Sequence, residues 1–144
     1  MKKKYIICDA VRADSGKSET LLHVITKLGG DSIATKINDK DKSAIIEVDG
    51  GKVAVVTLGD PASGHFDYLA DVAKEEPDII VCASRTRGET VGDVMSISTE
   101  HNYDVIWFNN FYFNGTSDES QRHILNETSA DAVVALVKKL LEQN

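Results

Sequence analysis

The sequence predicts an α/β fold: a single domain in three layers, with a mostly parallel sheet, one antiparallel edge strand, and helices on both faces. Three observations predict it. Short apolar runs alternate with segments whose apolar residues recur at helical spacing, the pattern that lays helices over a parallel sheet. Two runs, AIIEV (44–48) and KVAVVTL (52–58), are separated only by Asp49-Gly50-Gly51, which signals a β-hairpin and hence antiparallel neighbours. DIIVCAS (78–84) is nearly continuous in apolar residues, as expected of a strand covered on both faces.

The elements follow in order. KYIICDA (4–10) reads as the first strand. Leu21, Leu22, Val24, Ile25 and Leu28 then repeat at helical spacing, and Gly29-Gly30 ends that helix. Residues 29–43 are polar apart from Ile33, Ala34 and Ile37, and read as a long loop, of the kind that in a compact domain is functional or mobile. After the hairpin, Phe66, Leu69, Ala70 and Ala73 fall at i, i+3, i+4 and i+7, giving a helix that closes at Pro77. Val91, Val94, Met95 and Ile97 place another helix over about 89–101, and YDVIWF (103–108) is the next strand. Thr128 or Ser129 caps a closing helix that contains Val133, Leu136, Val137 and Leu140. No repeat, linker or low-complexity tract interrupts the series.

A length of 144 residues suits one domain, 1–144, and 42% hydrophobic with 27% charged residues is the composition of a folded globular chain. The net charge of -7 argues against a general nucleic-acid binder, which needs a basic face to displace counterions from phosphates. A small phosphorylated ligand stays open, because it needs only a local cluster of N–H groups and a cation or two. No apolar run approaches the roughly 20 residues that span a bilayer, and Lys2-Lys3-Lys4 leads into YIIC with no signal-peptide core behind it. The expectation is a cytoplasmic protein without a membrane partner. Cys8 and Cys82 lie in strand-like runs without metal-ligand spacing, and read as buried reduced thiols.

The stretch AVRADSGKSETLL (10–22) carries the chemistry. Gly16, Lys17 and Ser18 end the phosphate-binding pattern G-x-x-x-x-G-K-S/T, in the order strand, loop, turn, helix that aims backbone N–H groups at a phosphate. Ala13, Asp14, Ser15, Gly16, Lys17 and Ser18 would contribute their amides, Lys17 would neutralise the β- and γ-phosphates, and Ser18 would ligate Mg²⁺. Where the first glycine belongs stands Val11, a β-branched residue that resists glycine-like backbone angles. Asp14 puts a carboxylate into the loop, and Arg12 is the cation that either balances it or reaches the ligand.

On these residues the chain resembles the P-loop NTPases, and among them the Ras-like small GTPases. The resemblance runs from residue 4 to about 84: phosphate loop and helix, a long loop with Thr35, the hairpin around VDGGKV, and Asp60 just beyond the second strand. It implies a P-loop NTPase-like fold, catalytic roles for Lys17 and Asp60, Asp60 serving Mg²⁺ through water, and Thr35 as a Mg²⁺-sensing switch ligand. The chain departs from the family where Pro61-Ala62-Ser63-Gly64 makes the aspartate motif one residue longer than D-x-x-G, and an aspartate chosen with Pro61 and Gly64 for a turn is the alternative reading of Asp60. The guanine motif N-K-x-D is replaced by Phe108-Asn109-Asn110-Phe111-Tyr112, leaving Asn109 as its one candidate contact and guanine specificity unsupported. ETSA (127–130) resembles the short loop that backs the base, and equally suits a helix cap.

Other residues keep two readings each. Arg85 and Arg87 follow the DIIVCAS strand at the rim where open α/β sheets bind ligands; they either clamp phosphate or pair with surface acids. Trp107, Phe108, Phe111, Tyr112 and Phe113 stack a base, form an interface with a partner or second copy, or pack as an edge strand beneath the last helix. His65 either orients an attacking water after the Asp60 turn or simply starts a helix. The functional expectation is a Mg²⁺-dependent binder of ATP or GTP, a slow NTPase or nucleotide switch, with ATP favoured for want of the guanine motif. The competing readings are a small P-loop phosphotransferase, and an altered P-loop protein whose aromatic segment 107–113 serves interaction.

Overall fold

In the computed structural model, which describes residues 2–11, 16–60, 64–115 and 118–143, strands and helices alternate as the periodicity predicts. The order is β1 (Tyr5–Ala10), α1 (Lys17–Lys27), β2 (Thr35–Lys36), β3 (Lys42–Val48), β4 (Gly51–Val56), α2 (His65–Ala73), β5 (Ile79–Ser84), α3 (Glu89–His101), β6 (Asp104–Phe108) and α4 (Glu119–Glu142). The strands form one sheet in the order β2-β3-β4-β5-β1-β6. β5 lies parallel between β4 and β1, in register from Tyr5 opposite Ile79 to Ala10 opposite Ser84, and β6 lies parallel on the other side of β1.

Alternation of side chains divides the core into two faces. Ile7, Val55 and Val81 pack beneath Leu21 and Val24 of α1 and Val133 and Val137 of α4. Ile6, Cys8, Ile80 and Cys82 pack beneath Leu69 of α2 and Val94 of α3. Helices on both faces are why every residue of β5 is buried and why its sequence shows no polar alternation. Cys8 and Cys82 are free thiols facing each other in the β1–β5 register; the Cys8 contact and then burial push the Cys82 thiol up.

The hairpin turn contains two residues. Asp49 and Gly50 both take positive φ, 48° and 82°, as a type I′ turn requires, and Gly51 already belongs to β4 opposite Val48. A Cβ on Gly51 would lie 2.6 Å from Leu141 Cδ2, so glycine there lets the end of α4 cover the turn.

The antiparallel strand β3 is flanked on both sides, since the two-residue β2 pairs with it and forms the edge. β2 falls inside the expected long loop. The Asn38 carboxamide oxygen accepts from Lys40 N and Asp41 N, while Asp41 O accepts from Ile37 N. Those bonds fold the polar residues into a tight turn and return the chain to β3.

The closing helix begins well before Thr128 and Ser129, which correct to mid-helix positions. Asp118 caps it: its carboxylate accepts from Gln121 N at 2.8 Å while Asp118 N donates to Gln121 Oε1 at 3.1 Å, a reciprocal capping box. ETSA is therefore helical, and its likeness to a base-backing loop does not hold. Among the described residues no helix is long and apolar enough to cross a membrane.

Candidate functional site

β1, β5 and β4 run parallel, so their carboxyl ends share one rim of the sheet, and the Gly16-Lys17-Ser18 turn sits there at the start of α1. Arg12, Ala13, Asp14 and Ser15 lie outside the described residues. Val11 is 2% exposed and is not among the positive-φ residues, so β1 ends here with an inward-packed side chain and backbone angles that valine accepts. Gly16 does need its glycine. Its φ is +83°, and an added Cβ would come 2.5 Å from Asn126 Oδ1. Asn126 in turn donates to Glu19 Oε2 at 2.8 Å and accepts from Thr20 Oγ1 at 3.4 Å, fastening α4 to the first turn of α1.

Lys17 is only 5% exposed. Its ammonium donates to Val11 O and Ser84 O, each at 3.3 Å, bridging the ends of β1 and β5. Burial lowers its pKa from the ordinary lysine value, opposed first by the nearby Asp60 charge. The stem of Lys17 passes over Gly59, where a Cβ would stand 2.7 Å from Lys17 Cε and 3.0 Å from Ala83 Cβ. Gly59→Ala is accordingly expected to cost about 1–2 kcal/mol through overpacking, read as a lower urea midpoint with an unchanged slope. A midpoint equal to wild type would show that Lys17 gives way freely.

Ser18 Oγ donates to Thr57 O at 3.4 Å. Thr57 Oγ1 donates to Asp41 Oδ1 at 2.7 Å and accepts from Lys42 N at 3.1 Å, so the turn is linked through β4 to the 37–41 segment. Beside Asp41, Lys40 lines one cleft together with Gly16, Lys17 and Ser18, a cation that no motif in the sequence marks. Thr35 is not brought there. It is exposed on β2, with β3 between it and β4, about 10 Å away at a strand spacing of roughly 4.8 Å.

Asp60 and Arg85 meet at the rim, with Oδ1 to Nη2 at 3.5 Å and both side chains about half exposed. Arg87 is exposed further along the same loop. His65 faces inward instead of toward the cleft. It is 1% exposed, with Nε2 2.7 Å from Ala83 O and Nδ1 2.8 Å from Asp93 Oδ2, so it ties α2 to β5 and α3.

Asn109, with its amide nitrogen turned to the backbone, donates to Ala10 O at 2.6 Å and Phe108 O at 3.0 Å, closing the exit of β6 onto the end of β1. The next residue uses Asp9, which no sequence pattern marked. Asn110 N donates to Asp9 Oδ1 at 3.1 Å, and Asp9 is fully buried, with no hydrogen-bond partner for Oδ2 among the described residues. Burial pushes its carboxyl up to about 7, against the opposing pull of the Asn110 N–H and the Lys17 charge. Past Asn110 the chain leaves the sheet, and Phe111, Tyr112 and Phe113 remain 60%, 46% and 40% exposed. The expectation of an edge strand packed beneath the last helix fits Phe108, which leans on that core, and not these three rings.

The Gly16-Lys17-Ser18 turn, Lys40, Asp60, the aromatic segment and the first turns of α4 line a cleft of about 400 Å³, within the usual size range of small-molecule sites. Its chemistry is an anion-accepting helix start, a buried ammonium, the Asp60 carboxylate paired with Arg85 outside the lining, and a set of aromatic rings. Against protein-family models, curated proteins and solved structures, the chain finds no match.

Proposed function

We propose that this chain is a P-loop NTPase-like protein that binds a nucleoside triphosphate with Mg²⁺ and either hydrolyses it slowly or changes shape with it. The observation that carries the reading is Lys17: a nearly buried ammonium at the start of an eleven-residue helix, held by two carbonyls and opening on the cleft. A lysine so placed is costly to the free protein and suits an anion that brings charge to it. The N–H groups of the turn would take the phosphate oxygens, and Arg85, paired with Asp60 at the rim, would meet negative charge developing on a transferred phosphoryl group.

The donors suit Mg²⁺. No group of three or more His, Cys, Asp and Glu side chains that could hold an ion occurs among the described residues, and Mg²⁺ characteristically needs none, taking one or two protein oxygens together with substrate phosphates. Ser18 and Asp60 would hold it, and the ion would neutralise charge on the phosphates. ATP is favoured over GTP because the guanine motif is absent.

Thermal unfolding with and without Mg-ATP, Mg-GTP and their diphosphates tests the reading. At about 100 times its dissociation constant the right ligand adds roughly 2.7 kcal/mol, an easily measured rise in Tm. No shift with any nucleotide would overturn the proposal and favour the interaction reading, which the exposed aromatic segment supports.

A further inference from the structure

Three consecutive aromatic side chains in water are costly unless something covers them. Here Phe111, Tyr112 and Phe113 line the same cleft as the Gly16-Lys17-Ser18 turn. The segment is placed by bonds, not left to fray. Asn110 N is held by buried Asp9, Phe111 N donates to Ser129 Oγ at 2.8 Å, and Asn110 Nδ2 donates to Phe111 O at 2.9 Å. A ligand filling this cleft therefore meets a cationic, N–H-rich end and a flat apolar end, a chemistry that a nucleotide combines in one molecule.

We infer that the 111–113 segment is the base subsite of this cleft, and that it holds the nucleobase by stacking on the ring faces instead of reading its edge. The inference rests on the triphosphate reading above. Stacking follows from what the neighbouring amides already do. Asn109 is bound to the backbone of Ala10 and Phe108, Asn110 to Phe111 O, and Asn126 to Glu19 and Thr20, so none of these three offers a ready bidentate contact to a base edge. Recognition through ring faces tolerates different bases and grows with stacked area. It favours purines over pyrimidines and leaves adenine and guanine within a few-fold of each other.

Titration calorimetry on the full chain separates this inference from the reading beneath it. The probes are Mg-ATP, Mg-GTP, Mg-CTP and inorganic tripolyphosphate; the variants are Phe111→Ala with Tyr112→Ala, and the conservative Tyr112→Phe. Both positions are well exposed, so the variants should unfold thermally as wild type does. Wild type is expected to bind the purine triphosphates about tenfold or more tightly than tripolyphosphate. The double alanine variant should bind them no better than tripolyphosphate, with tripolyphosphate affinity unchanged and Tyr112→Phe like wild type. Equal wild-type affinity for ATP and tripolyphosphate, or full ATP affinity in the double variant, would overturn the base subsite while leaving the phosphate site standing. Loss of a dimer in sedimentation with ATP affinity unchanged would assign the rings to self-association and overturn it equally. Absence of binding by every probe would remove the triphosphate reading and this subsite with it.

Discussion

Lys17→Ala should abolish the stabilisation proposed for Mg-nucleotide while leaving the ligand-free protein folded. In the free protein the ammonium is held by two carbonyls at 3.3 Å, and the nearby carboxylate, Asp60, is already engaged with Arg85. A charge so placed is under-compensated, so its removal offsets much of the packing lost when the stem leaves its seat over Gly59. On the proposed reading a bound triphosphate would reverse the balance, because the ammonium would then meet phosphate oxygens in a confined cleft. Truncating one partner of a buried charged pair costs about 2–5 kcal/mol, or some thirtyfold to several thousandfold in affinity. At a nucleotide concentration that raises the wild-type Tm by several degrees, the variant should show no rise. Lys17→Arg should fare little better, since Gly59 and Ala83 leave no room for the broader guanidinium. Lys3→Ala, an exposed lysine at the opposite end of β1, should respond like wild type. A Tm rise in Lys17→Ala equal to that of wild type would take Lys17 out of the site.

Where a segment's own periodicity decides its structure, the sequence was enough. The helix over 89–101 and the strand at DIIVCAS emerge with almost their observed bounds, because each meets its neighbours through a regular apolar pattern. The apolar pattern starts α4 too late because its first turns are mostly hydrated and carry little apolar stripe; its start rests on Asp118 and Gln121, a pairing visible in the residue spacing but not in hydrophobicity. The candidate site divides the same way. Gly16, Lys17 and Ser18 are neighbours and declare themselves as a motif. Asp9 and Asn110 are 101 positions apart, and Asp41 reaches Thr57 across 16, so their roles depend on which strands lie side by side. The one local sign of Asp9 was an acid at the end of an otherwise apolar strand. Lys40 looked like one more charge in a polar loop, and only the turn made by Asn38 and Asp41 carries it to the cleft.

That buried acid gives the second large effect, a stability that falls with rising pH where Asp9→Asn does not follow. The Asp9 carboxyl is raised from 3.8 to about 7 in the folded protein, burial being the main cause. Between those values the folded chain keeps a proton that the unfolded chain has released, so the folded state binds more protons and stability declines as pH rises. Below about pH 4 both states are protonated and Asp9 contributes no penalty; above about 7 the penalty is complete, reaching roughly 4 kcal/mol at about 1.4 kcal/mol per pH unit. An asparagine is neutral throughout, and its carboxamide oxygen can still accept from Asn110 N. Urea unfolding from pH 5 to 8 should therefore show Asp9→Asn gaining on wild type as pH rises, by the largest margin at pH 8. A pH-independent difference between the two proteins over this range would mean that the folded protein holds Asp9 charged, with Lys17 serving as its counterion instead of waiting for an anion. The same titration bears on the proposed site, because a carboxyl that is mostly neutral below pH 7 would spare a triphosphate the repulsion of a negative charge beneath the Gly16-Lys17-Ser18 turn. Asp9→Asn should then bind Mg-nucleotide at pH 8 at least as tightly as wild type, and the two proteins should converge at pH 6, where Asp9 is mostly protonated in both the free and the bound forms.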